Sequence, residues 1–243
     1  MSHLSPGPGQ DLRARPPRRW HPWRWILGGI LALLVIIVGV SIAAIGFQPS
    51  QPPLTLPSGP AAAPAGQLDG TWHVTTESVA GFRVRESILG FGNDVTGRTS
   101  DVTGAMVVSS AQVADATFRV SLNAITVNGK ARQPQLVQSL GTAAHPTAAV
   151  TLVRPVALPT AFSSGATITR TAAATLTLNG ITRPVTVTLS ARRDGAVIEA
   201  AGSLPVSFAD FGIRGPSGYG FLGSLASQGT AEFLLILTPA VAG

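Results

Sequence analysis

The sequence predicts an all-β domain behind one transmembrane helix: an antiparallel barrel of about eight strands with at most one short helix. Three observations carry this prediction. Beyond Gly70, apolar and hydroxyl residues alternate with period two, the pattern of strands that bury one face. Asn179-Gly180 and Asp194-Gly195 fall between such runs, where tight hairpins need positive φ angles. From Ile26 to Phe47 no residue is ionisable.

Residues 1–25 read as a basic tail, with five arginines against one aspartate. The 22 residues from Ile26 to Phe47 are long enough, as a helix, to cross a hydrocarbon core of roughly 30 Å. Only a helix satisfies its own backbone groups in lipid, so the solvent dictates the conformation. Arg13, Arg15, Arg18, Arg19 and Arg24 precede the run, and the next charge after it is Asp69. The positive-inside rule then leaves the N-terminus in the cytoplasm and sends the C-terminal domain outside. Trp20, Trp23 and Trp25 stand where an interfacial aromatic belt is expected. A cleaved signal peptide is the other reading. Ser41-Ile42-Ala43 offers small residues at cleavage spacing, but the apolar run exceeds a usual signal core. Either way the domain is exported.

Residues 48–68 contain six prolines and no charge, which predicts an extended linker rather than core. The folded domain is expected over 69–239. Its clearest strands are Phe118–Leu122, Ala174–Leu178 and Val185–Ser190, each alternating strictly. With Val197–Val206 the last two make a three-stranded meander through the Asn-Gly and Asp-Gly turns. Further strands are expected at Thr71–Thr76, Ala80–Glu86, Val102–Val108, Val150–Val153 and Thr230–Leu237. Between Asn128 and His145 the alternation lapses, and Ala131–Leu140 is the candidate for the single helix. Eight or nine strands in one open sheet would leave long edges, so closure into a barrel, or packing as a sandwich, is expected.

Several chemistries are excluded. The chain has no cysteine, so disulfides, thiolate catalysis and Cys-ligated metal centres are absent. The net charge of +6 resides mostly in the tail, and +2 remains for everything beyond residue 25, so nucleic acid is not an expected partner. Gly218–Gly223 fits G-x-G-x-x-G but lies in a Gly/Ser-rich loop before a strand, the wrong context for a dinucleotide site. Asp210-Phe211-Gly212 copies a kinase triplet, yet the single lysine, Lys130, has no kinase context. His73 and His145 lack metal-ligand spacing and read as surface or turn residues. No serine stands in a G-x-S-x-G elbow, and Asp94 and Asp101 read as solvated loop residues. No catalytic residue, metal or cofactor is expected.

Gly70-Thr71-Trp72, Ser78–Val84, Val95–Thr99 and Val102-Thr103-Gly104 together resemble the opening of YceI-like domains. Leu178-Asn179-Gly180-Ile181-Thr182-Arg183-Pro184-Val185, Phe208–Ile213 and His145-Pro146-Thr147-Ala148 are similar to later signatures of that family. The resemblance runs from about Asp69 to Pro239 and implies an extended, lipocalin-like barrel whose apolar pocket holds a long isoprenoid or other lipid chain. It implies no catalytic residues. The family commonly carries an Arg-Asp pair where this chain has Arg132-Gln133, so a polar contact built on that pair is not carried over.

Pointing the apolar half of each strand inward gives the expected ligand-binding lining. On the early strands it comprises Phe82, Val84, Met106, Phe118, Val120 and Leu122. Later strands add Leu152, Leu176, Leu178, Val187, Leu189, Phe233 and Leu235. Glu86 shares a face with Phe82 and Val84. Either the strand ends first and leaves it exposed at the rim, or it points inward to meet a ligand headgroup, with Arg98 or Arg132 as counter-charges. The expected function is a membrane-tethered, extracytoplasmic lipid carrier, with the bilayer as its other partner. The competing reading is a non-enzymatic interaction module of the cell envelope with a solid core; a hydrolase ranks last. Oligomeric state is not legible.

Overall fold

The computed structural model describes residues 50–88, 91–127, 142–213 and 223–240. The expected tail, apolar helix 26–47, candidate helix Ala131–Leu140, Arg132-Gln133 and residues 218–222 of the glycine motif lie outside the described residues. No helix among the described residues is long and apolar enough to cross a membrane.

Twelve strands follow one another in the described chain. They are β1 (Gly70–Val74), β2 (Val79–Ile88), β3 (Phe91–Thr99), β4 (Val102–Ser109), β5 (Gln112–Ser121) and β6 (Thr126–Val127). Then come β7 (Thr147–Leu152), β8 (Val156–Ala157), β9 (Ile168–Leu178), β10 (Ile181–Asp194), β11 (Val197–Ser207) and β12 (Gly223–Pro239). The only α-helix described is one turn, α1 (Thr160–Ser163), beside two 3-10 turns at Leu122–Ala124 and Ala209–Phe211. The pairing order β1-β4-β5-β7-β9-β10-β11-β12 closes when β12 meets β1. Below this ring β12 also pairs with β2, β2 with β3, and β3 with β6, all antiparallel. β1 and β2 are thus two halves of one bent strand, as are β3 and β4, and β5 and β6. Eight strands in sequential order form a closed barrel, which removes the exposed edges an open sheet would carry.

The turns show why the register holds. Asn179 and Gly180 have φ of 51° and 73°, so both central residues of the β9–β10 hairpin take the left-handed conformation that matches strand twist. At the next hairpin Asp194 still pairs with Val197, so the turn is Gly195-Ala196, one residue later than the Asp-Gly spacing suggested. Gly104 on β4 has φ 139°, and a Cβ there would lie 2.2 Å from the Thr117 carbonyl oxygen on β5. Gly104→Ala should therefore disrupt β4–β5 pairing and cost about 2–4 kcal/mol in urea unfolding. Thr103→Ala on the exposed neighbour should stay within about 0.5 kcal/mol; equal effects at both positions would remove the steric argument.

β3 departs from expectation. Asp94, read as a loop residue, stands in the middle of this strand and pairs with Arg85 of β2. Gly92, Asn93, Asp94 and Gly97 are residue types depleted in strands, so local preference hides an element held by nine pairings to β2.

The proline-rich segment, expected as an extended linker, also has partners on the barrel. Residues 50–68 form no helix or strand, but they are bonded across the outside of the barrel. Proline lacks an N–H, which leaves such a segment rich in unpaired carbonyls. Arginines on the strands supply the donors: Arg83 Nη2 to the Gln51 carbonyl at 2.7 Å, Arg98 to Pro52, Arg192 Nη1 to Gly59 at 2.8 Å, and Arg193 to Ala65 and Gly66. The Ala62 amide donates to Asp194 Oδ1 at 2.7 Å, and the Ala65 amide to the Gly195 carbonyl at 2.8 Å. Trp72 Nε1 donates to the Leu68 carbonyl at 2.9 Å where the segment enters β1. The strap thus runs from β2 and β3 to the β10–β11 hairpin. Beneath it lie charged residues buried on the outside of the barrel: Glu232, Glu199 and Arg192, at 5%, 6% and 7% exposure.

Candidate functional site

The interior follows from strand parity. On β2, β4, β5, β9, β10 and β12 the inward positions are mostly apolar or small; the charged ones are Glu86 on β2, Arg170 on β9, and Arg183 and Arg193 towards the ends of β10. Two buried clusters result. One gathers Trp72, Met106, Val108, Phe162, Ile198, Leu235 and Leu237; the other gathers Leu122, Ile125, Leu176, Leu178, Val187, Leu204 and Phe211. Leu189 and Phe233 pack against both, so the apolar lining runs continuously from one cluster to the other.

All thirteen residues expected in the lining lie on the inner face of the barrel. Met106 and Leu235 belong to the first cluster, with Phe118, Val120 and Leu152 packed against it. Leu122, Leu176, Leu178 and Val187 belong to the second, with Phe82 against it. Val84 is buried beside Gly229, where a side chain would come within 2.9 Å of it. Leu122 reaches the interior from a 3-10 turn rather than from a strand. Sequence reasoning missed Phe162 and Phe211, among the most buried side chains of the domain. Phe162 sits on a single helical turn and Phe211 on a 3-10 turn, segments too short to show any period.

The motifs near one end of the barrel have structural roles. Gly212 caps the Ala209–Phe211 turn at φ 62°, and Phe211 is driven into the core. Asn179 Nδ2 donates to the Phe211 carbonyl at 3.1 Å and Arg183 Nε to the Asp210 carbonyl at 3.2 Å. The Asn179–Pro184 and Phe208–Ile213 segments are therefore stitched together. His73 and His145 are exposed, and the His145 ring lies against Gly180. Among the described residues no three His, Asp or Glu side chains are placed to hold a metal ion.

Glu86 is the acidic residue at an inward position. β2 continues to Ile88, so the strand does not end before this residue, and Glu86 is 8% exposed. Arg98 is not its counter-charge. Gly81 pairs with Arg98, which places Arg98 on the outer face, 3.1 Å from Glu232. Arg132 lies outside the described residues. A separate open cleft of about 430 Å³ lies on the outside, lined by His73, Val107, Asp115, Thr117 and Arg119 of β1, β4 and β5.

A closed antiparallel barrel with a continuous apolar interior and a polar exterior places the chain among the β-barrel proteins. The chain belongs to the YceI-like domain family, whose model matches residues 72–231. A polyisoprenoid binding domain from Saccharophagus degradans, implicated in plant cell wall breakdown, has a similar fold, with a TM-score of 0.55 and 21% identity. The match covers 71% of this chain and 99% of that one. BcnA of Burkholderia cenocepacia is more distant, at 17% identity and a TM-score of 0.48 over 67% of this chain and 98% of its own. No curated protein matches the chain.

Proposed function

We propose that this domain binds a long apolar chain, of isoprenoid or other lipid type, within the barrel. The observation that carries the reading is the unbroken apolar lining through Leu189 and Phe233. Family membership and the fold shared with a polyisoprenoid binding domain support the same ligand class. Burial contributes about 0.8 kcal/mol per CH₂, so roughly a dozen enclosed carbons give micromolar affinity after the costs of association. The helix expected at Ile26–Phe47 would hold the domain at the outer face of the cytoplasmic membrane, as a non-enzymatic carrier beside its lipid source. The experiment is direct: extract the purified chain with organic solvent and identify lipids by mass spectrometry. A stoichiometric long-chain lipid is expected; repeated extraction with none, from protein that also takes up none when offered it, would end the proposal.

One observation favours the second reading, an interaction module with a solid core. Leu176, Leu204, Leu235 and Leu237 are each under a tenth exposed, so the walls already pack against one another. The open cleft beside Arg119 would then be a surface for an envelope partner. Capture of such a partner by lipid-free protein, lost on Arg119→Glu, supports this alternative.

A further inference from the structure

Glu86 differs from every other deeply buried charge in the domain. Arg192 and Glu199 hold each other at 2.7 Å, Arg193 donates to two strap carbonyls, and Glu232 is met by Arg83 and Arg98. Each of these contacts lies outside the apolar lining or at its end. Glu86 stands on the lining face, in line with Phe82 and Val84, 8% exposed, and no hydrogen bond or ion pair joins its carboxylate to another described residue. Its oxygens are not among the buried polar atoms left without a partner, so they face open space at this end of the lining, where a ligand group can reach them, rather than packed apolar side chains. The register places Asn93 directly across from Glu86 on the same face, so two polar side chains stand together at this level of the barrel.

We propose that Glu86 is the head-group site of the barrel: it selects an apolar chain that ends in a hydrogen-bond donor, a hydroxyl or an ammonium, and rejects chains that end in a carboxylate or phosphate. The inference rests on the chain-binding reading above. An ionised carboxylate only accepts, so its complement must donate, and a second anion brought beside it in an apolar space is repelled. One charge-assisted hydrogen bond is worth roughly tenfold in affinity. The apolar walls bind the chain without regard to its end, and Glu86 supplies the choice among ends.

The test uses the full chain in phosphatidylcholine nanodiscs and four radiolabelled C20 isoprenoid probes that share one chain and end in an alcohol, an amine, a carboxylate or a phosphate. Retention is compared with empty nanodiscs. The wild-type protein is expected to prefer the amine and the alcohol at least tenfold over both anions. Glu86→Gln should cut the amine preference roughly tenfold while the alcohol changes less than threefold, and Glu86→Leu should keep chain binding with little distinction among ends. Anionic probes held as well as the amine by wild type, or an unchanged ranking in Glu86→Gln, would overturn the inference and leave chain binding standing. No retention of any probe by wild type would remove the chain-binding reading itself, and this inference with it. The wild-type ranking decides the matter alone if a variant does not fold.

Discussion

Glu199→Ala should lower the unfolding free energy by about 3–5 kcal/mol, more than any substitution on the exposed exterior of the barrel. Glu199 Oε2 accepts from Arg192 Nε at 2.7 Å, and both residues are less than a tenth exposed although they stand on the outer face. Removing the acid leaves a guanidinium buried under the strap with one carbonyl, that of Gly59, and with Asp194 3.9 Å away. The penalty comes from that uncompensated charge rather than from the strength of the pair. Replacing both partners with apolar residues of similar size, Arg192→Met with Glu199→Leu, should therefore recover most of the loss. Urea unfolding followed by circular dichroism measures all three variants. A loss under about 1 kcal/mol for Glu199→Ala would mean that water reaches Arg192 and that the strap does not seal this face.

How much of this could be read from the sequence depends on how local each cause is. β9, β10 and β11 were legible because alternation and turn chemistry agree over Ile168–Ser207. The lining followed from the same alternation, since parity alone decides which face a side chain takes. The error at Arg98 shows the limit. Without β3 recognised as a strand, its parity could not be assigned, and Arg98 was free to be imagined inside. Its pairing with Gly81 turns it outward to Glu232. Glu86 was the reverse case, correctly aligned with Phe82 and Val84, with only the strand's end point in question. The docked strap had no local signal at all. Prolines at 52, 53, 57, 60 and 64 predict an extended chain, and they predict it equally for a free tether and for a segment held by arginines some thirty to well over a hundred residues away.

That ambiguity sets the second large effect. Replacing residues 51–66 with a Gly/Ser chain of equal length should lower stability by about 3–5 kcal/mol, and the melting temperature by roughly 6–12 °C. The change keeps the tether length but removes strap packing and the stiffness that proline gives the bound form. The carbonyls themselves remain, so a loss shows that the native sequence, and not merely a chain of that length, is what docks. A free spacer would tolerate the exchange with no change in melting. The two predictions are also coupled, and the coupling is the sharper test. With the strap undocked, Arg192 and Glu199 return to water as an ordinary surface pair, which contributes about 1 kcal/mol or less. Glu199→Ala made in the Gly/Ser background should then cost far less than it does in the native chain. The difference between the two costs is the energy by which the strap and the buried pair depend on each other. Equal costs in both backgrounds would show that the barrel buries Glu199 without the strap, and the proline-rich segment would revert to a tether.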